Sequence, residues 1–365
     1  VDAVIKLFGK FWHKGKLLSE LPADLPEFIT WKFDQCFDGR PAVFANIISG
    51  GKKADLTNDS SDHIKHMHAI MKSIKSSFAC AQNDFLSDFC PEFLVRQFCE
   101  EFSEQLLQIS KLPRPDNYDF LVRISRLVHE ISKRKLKLKL QGPQKERVEY
   151  TIFGTRTGRL GTTKHSFPIM NIAKKKRNNV LPNNDCFVEI DFNAMDARTF
   201  LRLAGKPQPQ CDFYEWSAKQ LNLADRKEAK ITFLRWLNGG VVSDQVDHDL
   251  GVMYNKLNVI KKFVDGNLIT NSFGRQIESD PAHFISHLVQ SESSDFFLNK
   301  AIEVNEFLRD KKSKIAFLIH DSAVIDFCKE EKAILEPIRT IMQGSEQFVA
   351  SFSIGKNFGE MKRIG

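Results

Sequence analysis

The chain has 365 residues, 42% hydrophobic and 27% charged, with a formal net charge of +7 and a pI near 8.9. That length exceeds one compact core of ordinary size and points to a multi-lobed domain or about two to three subdomains. No apolar run approaches the roughly 18 residues needed to span a membrane, so no membrane association is expected. The opening stretch "VDAVIKLFGKFWHKGKLL" is broken by lysines and lacks a small-residue cleavage site, so no signal peptide is read there. It also has no initiator Met and is read as a processed or trimmed end. Seven scattered cysteines without a C-x-x-C pair favour reduced thiols in a cytosol-like, cytoplasmic setting over a disulfide framework or a cysteine zinc site. The positive charge leans toward a polyanionic partner, and its placement says more than its sum.

In chain order, the first ~110 residues read as mostly helical, rich in Phe and Leu, with a Gly/Ser/Asp-rich loop at 51–62. His63, His66 and His68 follow it; no Cys or second cluster completes a zinc set, so an exposed helix face is the reading. Residues 119–140 begin with helical spacing and end in a basic strip of Lys133, Arg134, Lys135, Lys137 and Lys139. "GTRTGRLGTTKH" (154–165) and "KKKR" (174–177) follow closely. Basic side chains interleaved with Gly and Thr suit a backbone that must approach phosphates.

The segment 185–205, "DCFVEIDFNAMDARTFLRLAG", reads as a strand over Phe187–Ile190, then a helix over Asn193–Leu203, with Asp191 where one turns into the other. Residues 226–239 predict a helix with Arg226, Lys230 and Phe233 or Leu234 along one face, ended by Gly239-Gly240. In 316–327, "AFLIHDSAVIDF", two apolar runs predict antiparallel strands with His320-Asp321-Ser322 at their junction.

Two strand-borne aspartates, Asp191 and Asp321, could hold two divalent cations about 3.5–4 Å apart, one lowering the pKa of an attacking hydroxyl and the other stabilising the leaving oxygen. Mg²⁺ suits such a site, because it takes oxygen ligands from one or two carboxylates plus substrate phosphates. Arg226 and Lys230 would neutralise a triphosphate, Arg as a planar fork and Lys as a point charge.

These segments, in the order "TGRLGT…NI", "EIDFNAMDARTFLRLAG", "RKEAK…NGG", "FGR", "VQSESSD" and "IHDS", with "SIGKNFGEM" near the end, resemble a family A DNA polymerase of the DNA polymerase I type. The resemblance runs from about residue 120 to the C-terminus. It implies an α+β fold of right-hand architecture: a helical thumb, an antiparallel-sheet palm and helical fingers. The expected divisions are a helical region of uncertain role (1–115), thumb helices with the basic strip (116–150), a first palm segment (151–200), fingers (201–285) and a second palm segment (286–365).

Carried over by resemblance, Asp191 and Asp321 are the metal carboxylates, with the Phe192 carbonyl a further ligand, for two Mg²⁺ ions or Mn²⁺ in their place. Arg226 and Lys230 bind the triphosphate, and Lys230 donates a proton to the leaving pyrophosphate. Leu234 and Asn238 lie on the nucleotide side, and Asp196 takes the position of the Glu that blocks a ribose 2′-hydroxyl. Arg159 reads the primer-terminal minor groove, and Gln290 and His320 contact template and primer. Thr157, Asn171, Lys174, Lys175, Lys176 and Arg177 complete the DNA-contacting set.

The implied partners are primed DNA template and deoxynucleoside triphosphates, with accessory replication proteins as further candidates, the chain acting as a monomer. A phage or plasmid-like replicon is the setting its compactness suggests. Four positions depart from the family pattern. Asp196 is one methylene shorter than Glu, which loosens sugar exclusion. Leu234 replaces an aromatic residue, Asn238 replaces Tyr, and Ser322 replaces the Glu that follows the motif C aspartate. No carboxylate set for a 3′–5′ exonuclease is evident in 1–150. Two alternatives remain open. One is a relaxed-sugar or single-subunit RNA polymerase, favoured by His-Asp-Ser and opposed by Asp196. The other is a catalytically silent nucleic-acid-binding replication protein, opposed by the retained Asp191, Asp321, Arg226 and Lys230.

Overall fold

The structure, a computed structural model, describes residues 4–7, 10–13, 16–18, 117–139, 145–164 and 166–364. The chain divides into two units, Val1–Val122 and Arg123–Gly365. In the first, β1 (Val4–Leu7), β2 (Lys10–His13) and β3 (Lys16–Leu18) form an antiparallel sheet where the sequence reads as helical. The registers Leu7↔Lys10 and His13↔Lys16 leave two residues between strands, Phe8-Gly9 and Lys14-Gly15 in the sequence. A two-residue connection containing Gly is a hairpin signal, and here it outweighs the composition that reads as helical. The rest of 1–115, including the expected loop at 51–62 and His63, His66 and His68, lies outside the described residues.

Helix α1 (Tyr118–Ser132) buries Leu121, Ile124, Leu127, Val128 and Ile131, the i, i+3, i+4 pattern of a one-sided helix. It stops before Lys133, so the basic strip is not a helix face. The strip instead runs extended into β4 (Lys137–Leu138). β5 (Tyr150–Thr151) and β6 (Gly161–Thr162) then pair around the Thr155–Arg159 loop. The 3₁₀ segment Lys174–Asn179 leads into β7 (Val180–Leu181), which pairs with β4, so the two lysine-rich runs become neighbours.

β8 (Cys186–Phe192) is followed by α2 (Met195–Leu203), α3 (Phe213–Gln220), α4 (Arg226–Leu237), α5 (Asp244–Met253) and α6 (Lys256–Phe263). A small sheet follows, formed by β9 (Val264–Asp265), β10 (Leu268–Thr270) and β11 (Gln276–Glu278). The long α7 (Phe284–Phe307) precedes β12 (Lys314–Ile319), β13 (Ser322–Phe327), α8 (Leu335–Gln343), β14 (Ala350–Gly355) and β15 (Lys362–Ile364). The main sheet is antiparallel in the order β12-β13-β8-β14-β15, with β8 at its centre.

Helix α4 begins and ends as its sequence dictates. Asp225 accepts from the Glu228 N–H at 2.7 Å while Glu228 accepts from the Ala224 N–H at 2.7 Å, a reciprocal capping arrangement. At the other end Gly239 has φ +76°, and the Gly239 and Gly240 N–H groups bond the carbonyls of Trp236 and Arg235 at 3.1 and 2.8 Å. The helices between β8 and α7 share an aromatic core in which Phe200, Phe233, Trp236 and Tyr254 pack, Phe200 on Tyr254 at 4.6 Å between centroids. No helix among the described residues is long and apolar enough to cross a membrane.

Candidate active site

β8 alternates in burial as a half-covered strand must. Cys186, Val188, Ile190 and Phe192 are buried on one face, where Phe192 meets Phe296 of α7 and Phe348 edge-on. On the other face Phe187 is covered, Glu189 is half-buried and Asp191 is exposed, so the open end of the strand carries the carboxylates. Ser322 of β13 lies opposite Asp191 on one side and Ser351 of β14 on the other. The Ser351 hydroxyl donates to the Asp191 carbonyl at 3.3 Å. Pairing on both edges thus pins the backbone beneath Asp191.

The expected hairpin forms, with Ile319 opposite Ser322, so its connection is His320-Asp321 alone. His320 takes φ +50°, a left-handed conformation uncommon for residues other than Gly. This puts Asp321 one residue from the partner of Asp191. Although Asp191 stands at the exposed end of the strand, the protein packed around its carboxyl pushes it up to about 7, with the charges of Asp321 and Glu189 adding to this and Lys230 acting in the opposite sense. Asp321 is raised too, by burial first and by the charge of Asp196, against Arg159 and His320.

Cationic side chains converge on this pair. Arg159 donates one guanidinium nitrogen to both oxygens of Asp196, each at 3.2 Å. Lys230 is exposed on α4, near enough for its charge to act on Asp191. One turn earlier, Arg226 donates its Nε to Asp212 at 3.0 Å and lies over the Tyr214 ring. Asp212 also caps α3 and accepts from Asn193, which holds its carboxyl below the usual range despite partial burial.

The other sequence-predicted residues are placed less centrally. Leu234 is partly buried against the aromatic core, while Phe233 is wholly inside it. Asn238 caps the end of α4 and donates to the Leu234 carbonyl at 2.7 Å. Thr157 is buried, Gln290 is half-buried on α7, and Asn171 is exposed in a 3₁₀ turn. Lys174, Lys175 and Lys176 are exposed, whereas Arg177 is half-buried over the Phe358 ring and its charge reaches Glu189.

Several residues escaped the sequence reading. Gly158, at φ +77°, lies against Arg275, whose Nε would sit 2.6 Å from a Cβ built there. Arg275 is in turn clamped by Asp295 through bonds of 2.6 and 2.8 Å, with Asn271 adding a third to the same carboxylate at 2.8 Å. Arg198 is fully buried and donates to the carbonyls of Asn193, Pro209 and Cys211, tying α2 to the segment before α3. Tyr214 is buried among Phe213 and Phe233 and feels the charge of Asp196. Glu189 was legible, since two residues back along a strand is the same face as Asp191.

Among the described residues no three His, Cys, Asp or Glu side chains form a ready-made metal cage. Two carboxyls both raised above their ordinary value, Asp191 partly by the charge of Asp321, are nonetheless a hard-oxygen donor set suited to Mg²⁺ completed by substrate oxygens. A raised carboxyl binds its proton more tightly in the folded chain. Its stabilising contribution is therefore full below the ordinary value of 3.8 and is lost as the pH rises to about 7. In a chelator, the unfolding midpoint of the wild type should fall across that interval more steeply than that of Asp191→Asn; parallel profiles would contradict the raised carboxyl.

No family model matches this sequence, and no curated protein is similar to it. Among solved structures, the chain is similar to the polymerase domain of Pol1 from M. smegmatis, determined in complex with DNA primer-template and dNTP, at 12% identity and a TM-score of 0.48, over 88% of this chain and 67% of that one.

Proposed function

We propose that the chain is a template-directed DNA polymerase of the DNA polymerase I type, adding deoxynucleotides to a primer 3′-hydroxyl. The observation that carries this reading is the register that sets Asp321, in the turn before β13, next to the strand partner of Asp191, with Lys230 within electrostatic reach. A nucleic-acid-binding protein without chemistry has no use for an aspartate raised by the charge of a second aspartate beside it. In this reading the main sheet is the palm, 201–285 the fingers and 116–150 the thumb.

The ions, when bound, would activate the primer hydroxyl and stabilise the leaving oxygen. Asp191, Asp321 and the Phe192 carbonyl would hold them. Arg226, already partnered by Asp212 through Nε, keeps its terminal nitrogens for a phosphate, and Lys230 supplies a point charge and a proton to the departing pyrophosphate. Arg159 reads the minor groove at the primer end, beside His320 and Gln290. The exposed lysines at 174–176 and the neighbouring strip at 133–139 follow the phosphate backbone. Closure of the helical segment onto a correct base pair would assemble the site only then.

Primer extension on primed DNA with Mg²⁺, supplying deoxy- and ribonucleotides separately, tests the reading. Extension with deoxynucleotides is the expected result. No extension with either set sinks it, and a ribonucleotide preference replaces it with an RNA-polymerase-like activity. Asp196→Ala removes the side chain that crowds the 2′ position and is expected to raise ribonucleotide incorporation by about tenfold, the scale of one modest steric contact. Unchanged sugar selectivity would place the gate elsewhere.

A further inference from the structure

We infer that Glu189 is the third carboxylate of this site, positioned by Ser322 and acting on the divalent cations through their bound water. The inference rests on the polymerase reading above. Glu189 and Asp191 lie two residues apart on β8, so both project from the same face, with Cα atoms about 7 Å apart along the strand. Glu189 lies one pleat farther than Asp191 from the Asp321 turn, so a water of the hydrated cation would bridge it to an ion held by Asp191 and Asp321. Mg²⁺ gives up its waters reluctantly, and carboxylates behind them orient the inner ligands and strengthen binding.

Ser322 is what holds Glu189 there. It is 4% exposed, lies opposite Asp191 in register, and donates its hydroxyl to Glu189 Oε1 at 3.2 Å across the diagonal of the β8–β13 pair. A glutamate at position 322 would point at this same face and confront Glu189 with a like charge. Ser322 and Glu189 therefore make a matched pair. The residue after Asp321 is a hydrogen-bond donor, and the negative charge sits on the neighbouring strand. The competing role for Glu189 is a plain counter-charge for Arg177, whose guanidinium is engaged by the Phe358 ring at 4.8 Å. That role would leave cation binding unaffected.

The test is Mn²⁺ binding to the whole chain without DNA or nucleotide, read by the paramagnetic signal of free Mn²⁺, beside Mg²⁺-dependent primer extension. Glu189→Gln keeps the shape and removes the charge. It should weaken Mn²⁺ affinity about tenfold or more and raise the Mg²⁺ concentration needed for extension. Ser322→Ala keeps the charge but frees it, and should give a smaller loss in the same direction. Combining Glu189→Gln with Ser322→Glu moves the carboxylate to the other strand and should recover most of the lost affinity, which a counter-charge for Arg177 would not do. Wild-type Mn²⁺ affinity in Glu189→Gln, or no recovery in the double variant, overturns the inference. If Asp191→Asn also binds Mn²⁺ like the wild type, the polymerase site itself is misassigned. If only Glu189→Gln does, that reading stands and this role alone falls.

Discussion

Asp191→Asn and Asp321→Asn are each expected to cut primer extension by on the order of 10³-fold, the scale of removing one group that stabilises developing charge. Neither change should weaken binding to primed DNA by more than about twofold, because phosphate contacts from Lys and Arg supply most of that affinity. Both substitutions keep side-chain volume and the strand pairing that fixes the backbone on each side of Asp191. Stability provides an internal control. Burial raises both carboxyls, and Asp191 is raised further by the charge of Asp321, so neutralising either one relieves a cost and each variant should be as stable as the wild type at pH 8, or more so. An inactive variant that is also unfolded would indicate a structural role. A folded variant retaining most extension activity would refute the metal-ligand role.

Asp295→Ala is expected to destabilise the chain by about 3–5 kcal/mol, because it leaves a buried guanidinium without its partner. Arg275 is 6% exposed and Asp295 is fully buried, and their two hydrogen bonds are joined by one from Asn271. Replacing both ends, with Arg275→Met and Asp295→Leu, should recover most of the loss, since a well-packed apolar pair is often as stable as a buried ion pair. Urea unfolding of the three variants measures this. Primer extension gives an independent readout, because the Gly158 backbone lies on the Arg275 guanidinium and Arg159 follows directly. The double variant should therefore fold well yet extend primers weakly. Full activity in it would show that the loop does not depend on Arg275.

Much of the site was readable because its parts are local. The alternation in "CFVEIDF", the capping of "DRKEAK" and the paired glycines after Asn238 act within a few residues, and each element formed where its sequence implied. The hairpin at 316–327 was readable for the same reason, down to a polar junction between two apolar runs. The same local logic failed at residues 4–18. There a stretch rich in Phe and Leu was read as mostly helical, while the two-residue gaps ending in Gly specified hairpins.

The charged residues divide differently. Their types and order along the chain were enough to mark Asp191, Asp321, Arg226 and Lys230 as candidates, and the resemblance to a family A polymerase added Arg159 and Asp196. Which partners they take was decided only by tertiary contacts between distant segments. Arg159 reaches Asp196 across 37 positions, Arg226 binds Asp212, and the lysine-rich runs near 135 and 175 meet through a two-strand pairing. Ser322 and Glu189 stand 133 residues apart, and no local rule relates them. Sequence by itself determined that Ser322 would follow Asp321 on a buried strand. Only the pairing of β13 with β8 decided that its hydroxyl would meet a carboxylate, because strand register places side chains diagonally across a sheet and is set by the packing of the whole face.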